Sequence, residues 1–410
     1  MIKEKLTLKS RTTTVAAAAS EVKSVRFVST EKRGYRVYES GRIGIFGTTG
    51  AYDEAKAWKK AEENLKNEIP YSAAASRGKE EHIDVSDGLL GDKAFVDKAK
   101  ELLARLKETC PAFLFSNNIL KTEHEISLVN DVGLDLSYRA GVYQLDLVMK
   151  EKASANIMDL GYSYTGKTFD VEKMASDIEE LVRAYYVPAD IEEGEQYVLA
   201  SLSDRGLDKL YEGIRADSYA NGTGLFAGKL GRKVFNEGVT IYEDRTPDSG
   251  FFSCFFDDEG VVNEDYKNIV FENGVFKNVL ACKLDAQKYG LPVSGSASAA
   301  YDGVPQTGLS GLRLAGSGRT IRELTQGGKA VYIVMASGGD TTPDGNFATP
   351  VHISFLCENG KLVGRLPALN ISGNLFDIYG KNFAGQAEDS LSLTDSELNK
   401  PIVVKMKVMK

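Results

Sequence analysis

Histidine is almost missing from this sequence: His82, His124 and His352 are the only three in 410 residues. That leaves little material for a metal centre built on several imidazoles or for a Ser-His-Asp hydrolase, and no GxSxG elbow occurs. Cysteine is also scarce. Cys110, Cys254, Cys282 and Cys357 are widely scattered with no CxxC pair, which excludes a disulfide scaffold and points to reduced thiols in a cytoplasmic protein. No run of 18 apolar residues is present, so a membrane span is not expected. The small-residue run "VAAAA" near the N-terminus is too short for an apolar signal core, and no cleaved signal is expected. A basic excess is lacking as well. The net charge of −8 and pI near 5.3 argue against a nucleic-acid surface and against a basic membrane-binding face.

What is present is an ordinary soluble composition, 42% hydrophobic and 26% charged, in a chain long enough for two cores. The stretch "SVRFVSTEKRGYRVYESGRIGIFGTTG" alternates like antiparallel strands, with Ser40-Gly41 as a hairpin turn. Helices are predicted over "YDEAKAWKKAEENLKNE", "DKAFVDKAKELLARLKETCP" and "DVEKMASDIEELVRAYY". Phe95, Ala99, Leu102, Leu103 and Leu106 form the apolar stripe of the second, which Pro111 stops, and Asp170 caps the third. The lone tryptophan, Trp58, reads as a core anchor. The Pro- and Gly-bearing acidic stretch "VPADIEEGEQ" is the expected boundary between units 1–190 and 191–410. Beyond it the chain is mostly β. "FENGVFKNVLAC" and "CENGKLVGRLPA" each place Asn-Gly between alternating apolar residues, the signature of a tight hairpin. "PIVVKMKVMK" reads as a closing strand whose lysines discourage edge pairing. The fold class is therefore α+β: a mixed α/β N-terminal domain and a β-rich, barrel-like C-terminal domain.

Candidate chemistry is sparse. His124-Glu125 opens like a zinc-peptidase motif, but no second histidine follows at the required spacing, and on a strand the two side chains point to opposite faces. His352 and Cys357 are separated by an odd spacing on a predicted strand, which excludes a shared metal. "GLSGLRLAGSGRT" lacks the GxxxxGK[ST] pattern and reads as loops between strands. The acidic run Asp257-Asp258-Glu259 reads as a turn with solvated side chains. In "LDKLYEGIRAD", Asp208 and Glu212 sit four apart on one helical face. Two carboxylates there could hold a cation, act as an acid/base pair, or be the wet side of a surface helix.

Several segments, taken in order, resemble the TldD/PmbA family, also labelled modulators of DNA gyrase. They are "GYRVYESGRIGIFGTT", "GLFAGKLGRKV", "FDDEGV", "IVFENGVFKNVL", "SGSASAA", "GGDTTPDGNFATPVHISFLCENGKLVGRLP" and "NISGNLFDI". The resemblance implies a two-domain α+β fold and dimeric assembly. Active members of the family are metalloproteases acting on peptides. They bind their metal through HExxxH on a helix just before the "GxLG" segment, and through a cysteine near the C-terminus. Here that helix position reads "LDKLYE": Leu207 and Glu212 stand where the histidines would be, and Asp208 where the glutamate would be. No cysteine follows Cys357. The chain thus resembles the TldE/PmbA branch without the metal site: no catalytic residue, metal or cofactor of its own, and inactive alone. Its expected partners are a TldD-like, HExxxH-bearing subunit or a second copy of itself, together with a peptide substrate. The alternative is a stand-alone homodimeric peptide-binding protein.

Overall fold

The computed structural model describes residues 1–201, 206–249, 254–309, 311–391 and 400–410, with the side chains of 206–208 excepted. The chain begins with long strands: β1 (Ile2–Ala18), β2 (Glu21–Glu39) and β3 (Arg42–Thr49). Ser40 and Gly41, at φ 51° and 74°, turn β2 into β3 as a two-residue hairpin. Next come α1 (Glu54–Glu63), β4 (Lys79–Val85), α2 (Asp92–Thr109), β5 (Phe113–Asn130), β6 (Leu134–Glu151), β7 (Leu160–Gly166) and α3 (Val171–Tyr185). The strands form one sheet in the order β3-β2-β1-β5-β6-β4, with β7 also paired to β6. Only β4 runs parallel to its neighbour.

The helices form where the sequence supplies caps and stripes. Asp53 and Asp170 accept the Lys56 and Lys173 amide hydrogens at 2.9 and 3.0 Å, satisfying donors that open α1 and α3. All five stripe residues of α2 are buried against Phe113, Phe115 and Leu145 of the sheet and Ile178 and Leu181 of α3. Trp58 is half-buried and sets its ring edge-to-face on Tyr35 at 4.9 Å, anchoring α1 to β2.

The second half comprises β8 (Gly194–Ala200), α4 (Gly206–Ile214), α5 (Ala216–Ala220), β9 (Ile241–Asp244), β10 (Lys267–Glu272), β11 (Val275–Phe276) and α6 (Lys283–Tyr289). Short strands β12 (Ala297–Ser298), β13 (Gln306–Thr307) and β14 (Leu312–Leu314) lead to α7 (Ile321–Leu324). Then follow β15 (Lys329–Ala336), β16 (Asp340–Thr341), β17 (Asn346–Glu358), β18 (Lys361–Arg365), β19 (Leu369–Asn374), α8 (Leu375–Ile378), β20 (Phe383–Gln386) and β21 (Ile402–Met409). Both Asn-Gly turns form as expected, with φ 49° and 78° at Asn273-Gly274 and 52° and 73° at Asn359-Gly360.

Five strands close into a barrel: β15 pairs with β8, β8 with β21, β21 with β19, β19 with β17, and β17 with β15. Their side chains alternate between two cores. Leu199, Val403, Phe355 and Ala330 join the core built on α2 and α3, while Val198, Val404, Leu356 and Val331 join an aromatic core around Phe226. Burial on both faces explains the unbroken apolar runs "YVLA", "AVYIV" and "IVV". It also corrects the expectation for β21. This strand is flanked on both sides, by β8 and by β19 and β20, so its lysines guard no edge.

Candidate functional site

Helix α4 leads from β8 into the loops that pack on the aromatic core. Leu210 and Ile214 are fully buried in that core. Gly213 lies where a Cβ would stand 2.8 Å from the Phe226 ring, so the helix seats closely on "GLFAG". Glu212 faces outward and accepts from Lys209 Nζ at 2.5 Å. The Leu207 and Asp208 side chains lie outside the described residues. One turn further on, Arg215 grips Asp217 through Nε and Nη2 at 3.0 and 3.1 Å, and Asp217 is held below the usual carboxylate range by that pair. Arg215 also donates to the Thr307 carbonyl at 3.2 Å, tying the end of α4 to β13.

A cleft of about 220 Å³ opens beside α4. Lys209 and Glu212 form one wall; Gly339, then Asp340 and Thr341 of β16, and Phe347 to Thr349 of β17 form the other. Gly339 has φ 88°, and a Cβ there would meet the Ala348 carbonyl oxygen at 2.0 Å. Only glycine lets β16 lie this close to β17. Lys209, Asp340 and Thr341 were not singled out from the sequence; the glycine pair before Asp340 was the available signal.

The three histidines do not converge. His82 on β4 pairs with Ser137 at 2.7 Å, and His352 on β17 with Ser337 at 2.8 Å. His124 on β5 lines a polar groove of about 510 Å³ beside Lys9, Arg11, Glu123 and Arg139, its pKa lowered by burial. Cys357 is buried and its thiol is pushed up to about 12. Among the described residues no group of three or more His, Cys, Asp or Glu is placed to share a metal ion.

The acidic run departs from expectation. Asp257 and Glu259 are each only 2% exposed, because the turn is clamped between the two halves of the chain. The Asp257 carboxylate accepts the amides of Glu259, Val261 and Ala297 at 2.9, 2.8 and 3.0 Å. Asp258 accepts the Ala299 amide at 2.7 Å, and its carbonyl receives Arg36 Nη1 from β2 at 2.5 Å. Glu259 accepts the Tyr71 hydroxyl at 2.6 Å and the Lys283 amide at 2.8 Å. Burial first, then the neighbouring Asp257 charge, raise its pKa to about 7. Local composition suggests a wet turn; partners more than 180 residues away make it a dry one.

The family model for the PmbA/TldA metallopeptidase C-terminal domain matches residues 202–406, from just before α4 into β21. The chain belongs to the PmbA/TldD family. The matched segment takes in α4, the cleft, the acidic turn and four of the five barrel strands, leaving β8 outside. A metalloprotease of Archaeoglobus fulgidus is 26% identical over 402 residues, covering 90% of this chain and 91% of that protein. The fold is that of TldE from Thermococcus kodakarensis, with a TM-score of 0.83 at 19% identity over 100% of this chain and 97% of that one. A candidate modulator of a DNA gyrase from Thermotoga maritima is similar too, at a TM-score of 0.78 and 20% identity over 99% and 96% of the two chains. As in the other family members of known structure, strands and helices are mixed, and among the described residues no helix is long and apolar enough to cross a membrane.

Proposed function

We propose that this chain is the non-catalytic, TldE-like subunit of a TldD/TldE-type metalloprotease that processes or degrades peptides. The observation that carries the proposal is the content of α4. Leucine, aspartate and glutamate occupy 207, 208 and 212, the helix positions where catalytic relatives are expected to hold two imidazoles and the water-activating glutamate. This donor set does not fit a zinc ion of that kind: Glu212 is engaged by Lys209, and no cysteine follows Cys357. The role left to the cleft between α4 and β16 is to receive extended chain, with β16 offering backbone groups at its outer edge. We assign 1–190 and 191–410 as the two units of the subunit, joined through the segment around Ala189–Glu193.

The test is reconstitution. Purified alone, the chain should bind no stoichiometric zinc and cleave no peptide. Mixed with an HExxxH-bearing relative from the same genome, it should co-purify and support cleavage that a chelator abolishes. Chelator-resistant peptidase activity from the isolated chain would overturn the reading. Stoichiometric binding of unfolded peptide by the chain alone, with no HExxxH-bearing relative in the genome, would favour the stand-alone peptide-binding alternative.

A further inference from the structure

Asn-Gly occurs three times, at Asn221-Gly222, Asn273-Gly274 and Asn359-Gly360. Two of the pairs turn hairpins, and the paired strands fix their backbone angles. At Asn273-Gly274 the Gly274 amide donates to the Val239 carbonyl at 2.8 Å, and a Cβ on Gly274 would meet the Phe235 carbonyl oxygen at 2.3 Å. At Asn359-Gly360 the Gly360 amide donates to the Cys357 thiol. The first pair is held differently. Asn221 caps the C-terminus of the five-residue helix α5, and Asn221, Gly222 and Thr223 are all exposed. The Gly222 amide reaches the Tyr219 carbonyl only at 3.3 Å, and the Asn221 carboxamide has no partner among the described residues. Helix ends fray, so this glycine amide costs the least of the three to free.

We propose that Asn221-Gly222 is a site of spontaneous covalent modification whose product loosens helix α4. Ring closure needs ψ of Asn221 to leave −3°, which breaks the long bond to Tyr219. The Gly222 nitrogen, deprotonated by solvent base, then attacks Cγ of Asn221. A nitrogen–carbon bond forms, the carboxamide nitrogen leaves as ammonia with a proton returned from water, and a succinimide ring remains. Glycine permits this because no Cβ crowds the attacking nitrogen. Water opens the ring at either carbonyl, giving aspartate or isoaspartate at position 221. Aspartate there follows Asp217 by one helical turn at the negative end of α5, so a like charge and the helix terminus both disfavour it. Isoaspartate routes the backbone through the former side chain and lengthens it by a methylene. The Thr223 and Gly224 amides, which both donate to the Ser218 carbonyl at 3.1 Å, lie just beyond the added length. Gly224 also packs directly on α4: a Cβ there would stand 3.1 Å from both Cα and O of Gly213. Packing this close has no slack for a longer chain, so the seat of α4 shifts. The modification needs only water and does not rest on the proposed function.

Ageing the full folded chain in mildly alkaline buffer tests it, with peptide mass spectrometry as the first readout and amide exchange as the second. Conversion at Asn221 should run at least about tenfold faster than at Asn273 or Asn359, whose glycine amides must first leave a hairpin. Exchange in 209–217 should rise several-fold in the aged chain while β5 keeps its rates. Asn221→Gln, with a fresh melting temperature equal to that of the wild type, should show neither change on ageing. No conversion at Asn221, or conversion at either hairpin as fast, would overturn the proposal. So would unchanged exchange in 209–217 once Asn221 is converted, or an equal rise in aged Asn221→Gln. Failure of an HExxxH-bearing relative to support cleavage bears on the proposed function and leaves this site untouched.

Discussion

Arg36 of β2 reaches across 222 residues of sequence to donate to the backbone carbonyl of Asp258, with none of its surface exposed. The same guanidinium holds the buried Glu4 at 3.3 Å, while its Nε and Nη2 find no partner among the described residues. A charge so buried and so incompletely satisfied ties the halves together more than it stabilises either.

Arg36→Met should destabilise the fold by about 3–5 kcal/mol, because Glu4 is left buried with only Tyr38 and Asn130 as donors. Adding Glu4→Gln should recover part of the loss by removing the stranded charge. A urea double-mutant cycle reads the difference; an additive double mutant would contradict the coupling.

Stability should fall as pH rises through neutrality because of Glu259. Its folded pKa of about 7 lies above its ordinary value of 4.5, so between those values the folded state binds the extra proton. The contribution is fully present below about 4.5 and is lost as pH passes 7, with a ceiling of about 3 kcal/mol. Glu259→Gln should flatten the urea midpoint between pH 5 and 8, whereas an unchanged slope would place the titration elsewhere.

Phe226 is fully buried and touches the rings of Phe235, Phe271, Phe276 and Phe376, behind the close seat of α4 at Gly213. Phe226→Ala should cost about 3–5 kcal/mol in equilibrium unfolding. Amide exchange in 209–217 should rise more than in β5, because α4 loses its floor.

Gly339→Ala combines a left-handed φ with a backbone clash at Ala348. A loss of about 1–3 kcal/mol is expected, together with weaker peptide binding at the cleft. Asp340→Asn, on the same exposed strand, should leave the melting temperature within about a degree. Equal melting temperatures for both variants would show that the close approach of β16 to β17 is unimportant.

Much of this architecture was legible because its signals are local. Asp170 announces a helix, Ser40-Gly41 and the two Asn-Gly pairs announce hairpins, and the stripe from Phe95 to Leu106 marks a buried face. What stayed hidden depends on distant partners. The burial of Asp257 and Glu259 needs Arg36, Tyr71 and Ala297, none of them nearby in sequence. The interior place of β21 needs β8, and the cleft at Lys209 needs β16. At the candidate site the sequence carried the residue types at 207–212 but not the wall opposite them.

The place of β21 sets a schedule for synthesis. β8 ends at Ala200, yet its antiparallel neighbour begins at Ile402, so on the ribosome it waits roughly 10–40 s with that edge bare. β19 waits as well, since both pair with β21. Barrel closure therefore waits for β21 to be made, and a nascent chain halted before Ile402 would present two apolar edges to any chaperone or passing strand.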